Sequence, residues 1–263
     1  MSDKKLEGAG LRGQVAGKTS LSTVGKAGKG LTYRGYPIEI LSEKAKFEEV
    51  AYLLMYGSLP NKDEYENYSS KLISMRSLPN PILEVLERIP ASAHPMDVMR
   101  TGCSMLGNIE PEGEFSNQQE SADRILATMA SIIVYWYKYS HEGKKVNTSS
   151  DYETIGGHFL SLLHGDEPSE DHIRCLDTSL ILYAEHGFNA STFTARTCAS
   201  TLSDIHSCIT GAIGTLRGPL HGGANEAAME LIEQFSTTEE AKSTVLKMLD
   251  NKEKIMGFGH AVY

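Results

Sequence analysis

The sequence is short of several things that would point elsewhere. Its 263 residues include only four cysteines, Cys103, Cys175, Cys198 and Cys208, with no CxxC spacing. Three of them lie in apolar helical patterns, so they read as free structural thiols rather than as zinc ligands or a disulfide framework. No apolar run reaches the ~20 residues of a membrane span. The longest, ILATMASIIVYWY from Ile125 to Tyr137, is broken by Thr and Ser and reads as a core helix. Positive charge is scarce too: 25 Lys and Arg against 34 Asp and Glu leave a net charge of -9. A surface of that sign repels phosphate backbones, which excludes nucleic acid as an expected partner. The first residues, MSDKKLEGAG, carry no apolar signal-peptide region, and the expected setting is the cytoplasm.

Recognised motifs are equally sparse. GQVAGKT, Gly13 to Thr19, has one residue too few between its glycines for a phosphate loop, and GKAGKG and GFGH miss the dinucleotide fingerprint. There is no HExxH and no GxSxG, and His158 and His164, six apart, fall on different helix faces. No metal site is expected. No repeat of fixed period occurs, and no strands alternate with helices to form a parallel sheet.

What is present is helical period. TSLSTVGKAGKGLTYRGY, residues 19 to 36, is the one hairpin signal. Beyond it, FEEVAYLLMYG puts Phe47, Val50, Ala51 and Leu54 on one face before Gly57 and Pro60. NPILEVLERIP predicts a helix with Asn80 as cap and Pro81 in the first turn. Met96, Met99, Cys103 and Leu106 predict another ending at Gly107, and Ile125, Met129, Ile132 and Trp136 one apolar face of the next. Further helices are expected at about 171–186, about 191–204 and through SCITGAIGTL, where Gly211 and Gly214 would admit a close neighbour. TTEEAKSTVLKML closes the series, with Thr237 and Glu240 spaced as a capping box. The fold class is all-α, multi-helical, with a small N-terminal β-hairpin, and a boundary is placed in the Gly/Pro cluster 218–223.

Three histidines stand in unusual settings. His186 ends a helix ahead of GFNAST, where Asn189 or Ser191 can cap the next one; it is either a ligand-binding group or a structural histidine bonded to a carbonyl. His221, in RGPLHGGANEAA, has two glycines beside it and a following helix whose positive end points back at the turn. That field disfavours imidazolium and predicts a neutral ring able to donate a hydrogen bond to a carbonyl. His260 follows a Gly-x-Gly loop, with Lys252 and Lys254 just upstream as an anion-friendly cluster. Together they suggest donors converging on an oxygen-rich, acidic small molecule.

The stretches LTYRGY, FEEVAYLL, AHPMDVMRTGCSMLG, YWYKYSH, IGGHFLSLLHG, YAEHGFNASTFTAR, RGPLHGGANEAAMELIE and IMGFGHAVY resemble the citrate synthase family over essentially the whole chain. That resemblance implies a mainly helical homodimer, with residues 1–220 in a large domain and 221–263 beginning a small one. It implies condensation of oxaloacetate with a short acyl-CoA, with propionyl-CoA favoured over acetyl-CoA and with no cofactor beyond that substrate. His221 would donate to the thioester carbonyl and His260 to the oxaloacetate ketone. His186 and Asn189 would bind oxaloacetate, and Lys254, Ile255, Met256, Gly257 and Phe258 would form the CoA-contacting loop. The family's general base is an aspartate well beyond the GFGH motif, so a chain ending at Tyr263 is expected to be a fragment, inactive alone and with exposed apolar surface. The reading from another class is a non-catalytic helical protein that keeps the oxaloacetate pocket as a sensor or scaffold.

Overall fold

The computed structural model describes residues 17–24 and 30–258. The described residues include three two-residue strands, β1 (Ser22–Thr23), β2 (Thr32–Tyr33) and β3 (Tyr36–Pro37), paired antiparallel in that order. Ser22 faces Tyr33 and Tyr33 faces Tyr36. The expected hairpin is therefore a three-stranded sheet. Its second turn places Arg34 and Gly35 at positive φ, 46° and 92°, and this let the chain fold back sooner than its composition announced.

Helices follow in succession: α1 (Ile38–Lys44), α2 (Phe47–Tyr56), α3 (Lys62–Ser74), α4 (Asn80–Glu87), α5 (Pro95–Ile109) and α6 (Gln118–Glu142). After them come α7 (Ile155–His164), α8 (Glu170–Tyr183), α9 (Ala190–Ala199), α10 (Ile205–Leu216), α11 (Gly223–Glu233) and α12 (Thr238–Asp250). The all-α expectation holds. Gly57 ends α2 in the left-handed region at φ 104°, as its position suggested. Thr237 caps α12 by accepting from Glu240 N, while Glu240 returns to Ser236 N rather than to the cap itself.

Some boundaries move. The cap of α4 is Pro79, and Asn80 is already helical. α5 runs past Gly107 to Ile109. α8 stops at Tyr183, and α9 ends at Ala199, so Asp204 becomes the cap of α10 by accepting from Ser207 N at 2.9 Å. α1 and α3 have no counterpart in the periodicity, because α3 buries only Tyr68, Ser69 and Leu72.

α6 organises the interior. Ala127 packs into one cluster with Tyr33, Leu41, Val50, Leu53, Leu72 and Ile181, from β2, α1, α2, α3 and α8. Ile125, Ile132 and Trp136 pack into a second with Ile82, Leu86, Val98, Cys103, Leu106 and Ile213, from α4, α5 and α10. A helix shared by two clusters is covered on several faces, so α6 is the core helix its apolar run suggested. Helices approach closely at Gly102 and Gly107, where a Cβ would lie 2.5 Å from Ile132 Cγ2 and 2.6 Å from His206 Cβ. The expected close approaches at Gly211 and Gly214 are ordinary contacts, 3.4 and 3.5 Å from Thr194 and Arg100.

Two polar networks thread this core. His158 is fully buried on α7 between Ser131 Oγ at 3.0 Å and Ser150 Oγ at 2.8 Å, and burial followed by the nearby Arg76 charge pulls its pKa down to about 3. The N-terminus of α7 is held by Glu48, whose Oε1 accepts from Ile155 N at 2.6 Å, and by Thr154, which caps Gly157 N at 2.9 Å. His158 and His164 are thus helix histidines, as the spacing indicated. Of the cysteines, Cys103 and Cys208 are buried, and all four are free. Among the described residues no helix is long and apolar enough to cross a membrane.

Candidate functional site

The turn carrying His221 is built by close backbone packing. After α10 the chain reverses so sharply that His221 N and Gly223 N both donate to Gly218 O, at 2.9 and 3.2 Å. A Cβ on Gly222 would lie 2.7 Å from Leu216 O, and one on Gly223 2.9 Å from Arg217 O. Gly222 has an ordinary φ of -59°, so what these positions need is space, not left-handed geometry. The two glycines serve the fold of the turn against α10.

α9 then fixes the imidazole. Its cap, Asn189, accepts from Thr192 N at 2.9 Å, and its Oδ1 lies 2.7 Å from Ser191 Oγ, whose single hydrogen is shared between that oxygen and His221. Ser191 N, one of the donors left over at that helix start, points at His221 Nε2 from 3.3 Å, and Ser191 Oγ lies 2.9 Å from the same nitrogen. A backbone N–H cannot rotate away, which assigns Nε2 as the acceptor and leaves the ring proton on Nδ1. The pKa of His221 is lowered, first by burial and then by the charge of His186. The expected neutral ring is therefore supported by three features: partial burial, a helix N–H at one nitrogen and a second histidine close by. Sequence reasoning saw only the following helix, α11. It named Ser191 as a candidate cap and missed its contact with His221.

His186 occupies the corner between α8 and α9, half-buried, with Gly187 at φ 71°. The sheet braces this corner. Tyr33, fully buried, donates through its hydroxyl to Ile181 O at 2.9 Å and accepts from Glu185 N at 3.3 Å. Ser22 Oγ and Gly187 N both donate to Glu185 Oε1, at 3.2 and 2.5 Å. The predicted pair of His186 and Asn189 is thus brought beside His221.

Beyond α12, Lys252 takes φ 57° and Gly257 φ 92°. Ile255 is buried, while Lys252, Lys254 and Phe258 are exposed, Phe258 to 81%. A Cβ on Gly257 would sit 3.4 Å from Ala228 Cβ, which puts the 254–258 loop against α11, the helix that starts beside His221. His260 lies outside the described residues. A cavity of about 960 Å³ lies elsewhere, between α5 and α10, and none of the predicted site residues lines it. Among the described residues no group of three or more His, Cys, Asp or Glu side chains is placed to hold a metal ion.

A neutral imidazole with a free choice of acceptor on Nδ1, a second histidine at a braced corner and a lysine-bearing loop over the same helix suit an anionic, carbonyl-containing substrate. Comparison with known proteins gives the family. Residues 10–263 match the family described as citrate synthase, C-terminal domain. A 2-methylcitrate synthase of Shewanella oneidensis is 64% identical over 264 residues, covering 100% of this chain and 70% of its own length. A citrate synthase of Deinococcus radiodurans is 38% identical over 257 residues, covering 97% of this chain and 68% of its own. The structure of a Thermoplasma acidophilum citrate synthase in ternary complex with carboxymethyl coenzyme A and oxaloacetate superposes with a TM-score of 0.88 at 27% identity, over 97% of this chain and 68% of that one.

Proposed function

Because the chain belongs to the citrate synthase family, we propose that it is a 2-methylcitrate synthase, which condenses propionyl-CoA with oxaloacetate and water to give 2-methylcitrate and CoA. The observation that carries this is the 64% identity to the Shewanella oneidensis 2-methylcitrate synthase across the full span of this chain, against 38% to the Deinococcus radiodurans citrate synthase.

In this reading His221 donates a hydrogen bond from Nδ1 to the thioester carbonyl, so that as the α-proton passes to the family's aspartate base, the enol oxygen meets a preorganised donor. A neutral donor suits this step, since the acidity of a neutral imidazole N–H lies nearer that of an enol than an imidazolium's does. His260 polarises the oxaloacetate ketone that the α-carbon attacks. His186 and Asn189 bind oxaloacetate: the capping role consumes Asn189 Oδ1 and leaves its amide hydrogens for a carboxylate. Lys254 to Phe258 contact CoA. Water then hydrolyses the thioester and the CoA thiol leaves. No metal or organic cofactor takes part besides the acyl-CoA substrate.

Residues 1–220 form the large domain and 221–263 begin the small one, a division supported by α11 and α12, in which no residue is buried. The working form is a cytoplasmic homodimer. Acetyl-CoA is the competing substrate, favoured by the citrate synthases among the relatives. One methylene is worth only about 1–3 kcal/mol in a hydrophobic pocket, so both acyl-CoAs are expected to turn over at different rates. Thiol release by the full-length chain, compared as kcat/KM for the two, tests the assignment. Propionyl-CoA should win, and preference for acetyl-CoA would refute it.

A further inference from the structure

The turn that carries His221 is tied at both ends to a single turn of another helix. His94 is the N-cap of α5. Its Nδ1 accepts from Met96 N at 3.1 Å, which leaves the ring proton on Nε2, and Nε2 lies 3.0 Å from Glu226 Oε2 in the first turn of α11. One turn along α5, Asp97 Oδ2 accepts from Arg217 Nε at 3.0 Å, at the C-cap of α10, while Asp97 Oδ1 pairs with Arg100 at 3.1 Å. Arg217 and Glu226 bracket His221. Between them Asn225 Nδ2 donates to Tyr183 Oη at 2.7 Å and His221 meets Ser191, but little of the segment is buried: Leu220 is 83% exposed and α11 buries no residue.

These pairs are poor candidates for global stability. The Glu226 side chain is 56% exposed and that of Arg217 42%, and exposed ion pairs contribute little. Position is a different matter, because a displacement of about 1 Å at a catalytic group can cost on the order of a hundredfold in rate. Resting on the reading above, we propose that His94 and Glu226 are positioning residues for the condensation: a latch that keeps the His221 turn seated so that its Nε2 stays on the Ser191 N–H.

His94→Asn separates the two duties of this side chain. Asparagine still caps α5 but is too short to reach Glu226. Glu226→Ala removes the partner at an exposed site. In the full-length chain each variant should lower kcat by about 5- to 20-fold, with oxaloacetate KM moving less than about twofold. The double variant should be no worse than either single one, because both cut the same link. The NMR titration of the His221 ring should move up toward the ordinary histidine value in both variants, as its contact with Ser191 loosens. An unchanged kcat, losses that multiply in the double variant, or a His221 titration identical to wild type would each overturn the latch. The titration does not depend on turnover. If the wild type released no CoA from either acyl-CoA, the function would fall while the titration still decided the latch.

Discussion

Glu48 should make this fold less stable as pH rises, contrary to the usual behaviour of carboxylates. It is fully buried, its Oε1 accepts from Ile155 N at 2.6 Å, and its Oε2 has no hydrogen-bond partner among the described residues. Burial, followed by the opposing pull of that backbone bond and by repulsion from Asp177, raises its pKa from an ordinary 4.5 to about 7. The groups around it are Asp177 on α8, Arg76 after α3, whose charge works against the rise, and Tyr65 and Tyr68 on α3. With the folded value above the unfolded one, the folded state holds the extra proton between them. The contribution to stability is therefore complete below about pH 4.5 and lost as pH rises through about 7, and a shift of that size corresponds to roughly 3 kcal/mol. Asp177, pushed up to about 6, chiefly by burial, adds in the same direction over a lower window. Glu48→Gln keeps an acceptor for Ile155 N and removes the titration. Urea unfolding followed by far-UV circular dichroism from pH 5 to 8 should show a wild-type decline that the variant lacks in large part. The variant should be the more stable protein at pH 8, by roughly 1–3 kcal/mol. Parallel pH profiles for the two proteins would refute the reasoning.

Three further outcomes follow from the site. Ser191→Ala removes the hydroxyl from His221 Nε2 but keeps the backbone donor, so kcat should fall by about threefold to tenfold with oxaloacetate KM nearly unchanged, as read by steady-state thiol release. Gly222→Ala forces a methyl to within 2.7 Å of Leu216 O, and thermal denaturation should show a loss of about 1–3 kcal/mol together with a drop in activity. Tyr33→Phe leaves Ile181 O and Glu185 N without their shared hydroxyl in a buried setting. It should cost about 1–3 kcal/mol and raise the oxaloacetate KM, because the His186 corner loses its brace.

The helices visible in the sequence are those whose buried face is aliphatic and regularly spaced, such as Phe47, Val50 and Ala51 on α2 or Cys103 and Leu106 on α5. α3 escaped because its core contacts are a tyrosine, a serine and a leucine. Yet it begins with a signal that could have exposed it, Asn61 and Glu64 satisfying each other's backbone as a capping box. At the site, the positions of His186, Asn189 and His221 were legible from their glycine and helix-start neighbours. The tautomer of His221 was not, because it depends on a contact between residues 30 apart in sequence, Ser191 and His221. The His94 to Glu226 link, 132 residues apart, was invisible for the same reason. The packing need for Gly222 and Gly223 was not legible either, since only the path of the chain shows that Leu216 O and Arg217 O occupy the space a side chain would need.

Everything proposed for the site requires His221 to be a neutral imidazole whose Nε2 is held by the start of α9 and whose Nδ1 offers the proton. Nitrogen-15 NMR of the histidine rings at pH 7 tests it directly. His221 should show a protonated Nδ1 with an unprotonated Nε2, and a charged form appearing only below the ordinary histidine range. A ring that carries its proton on Nε2, or that is already imidazolium at neutral pH, would contradict it.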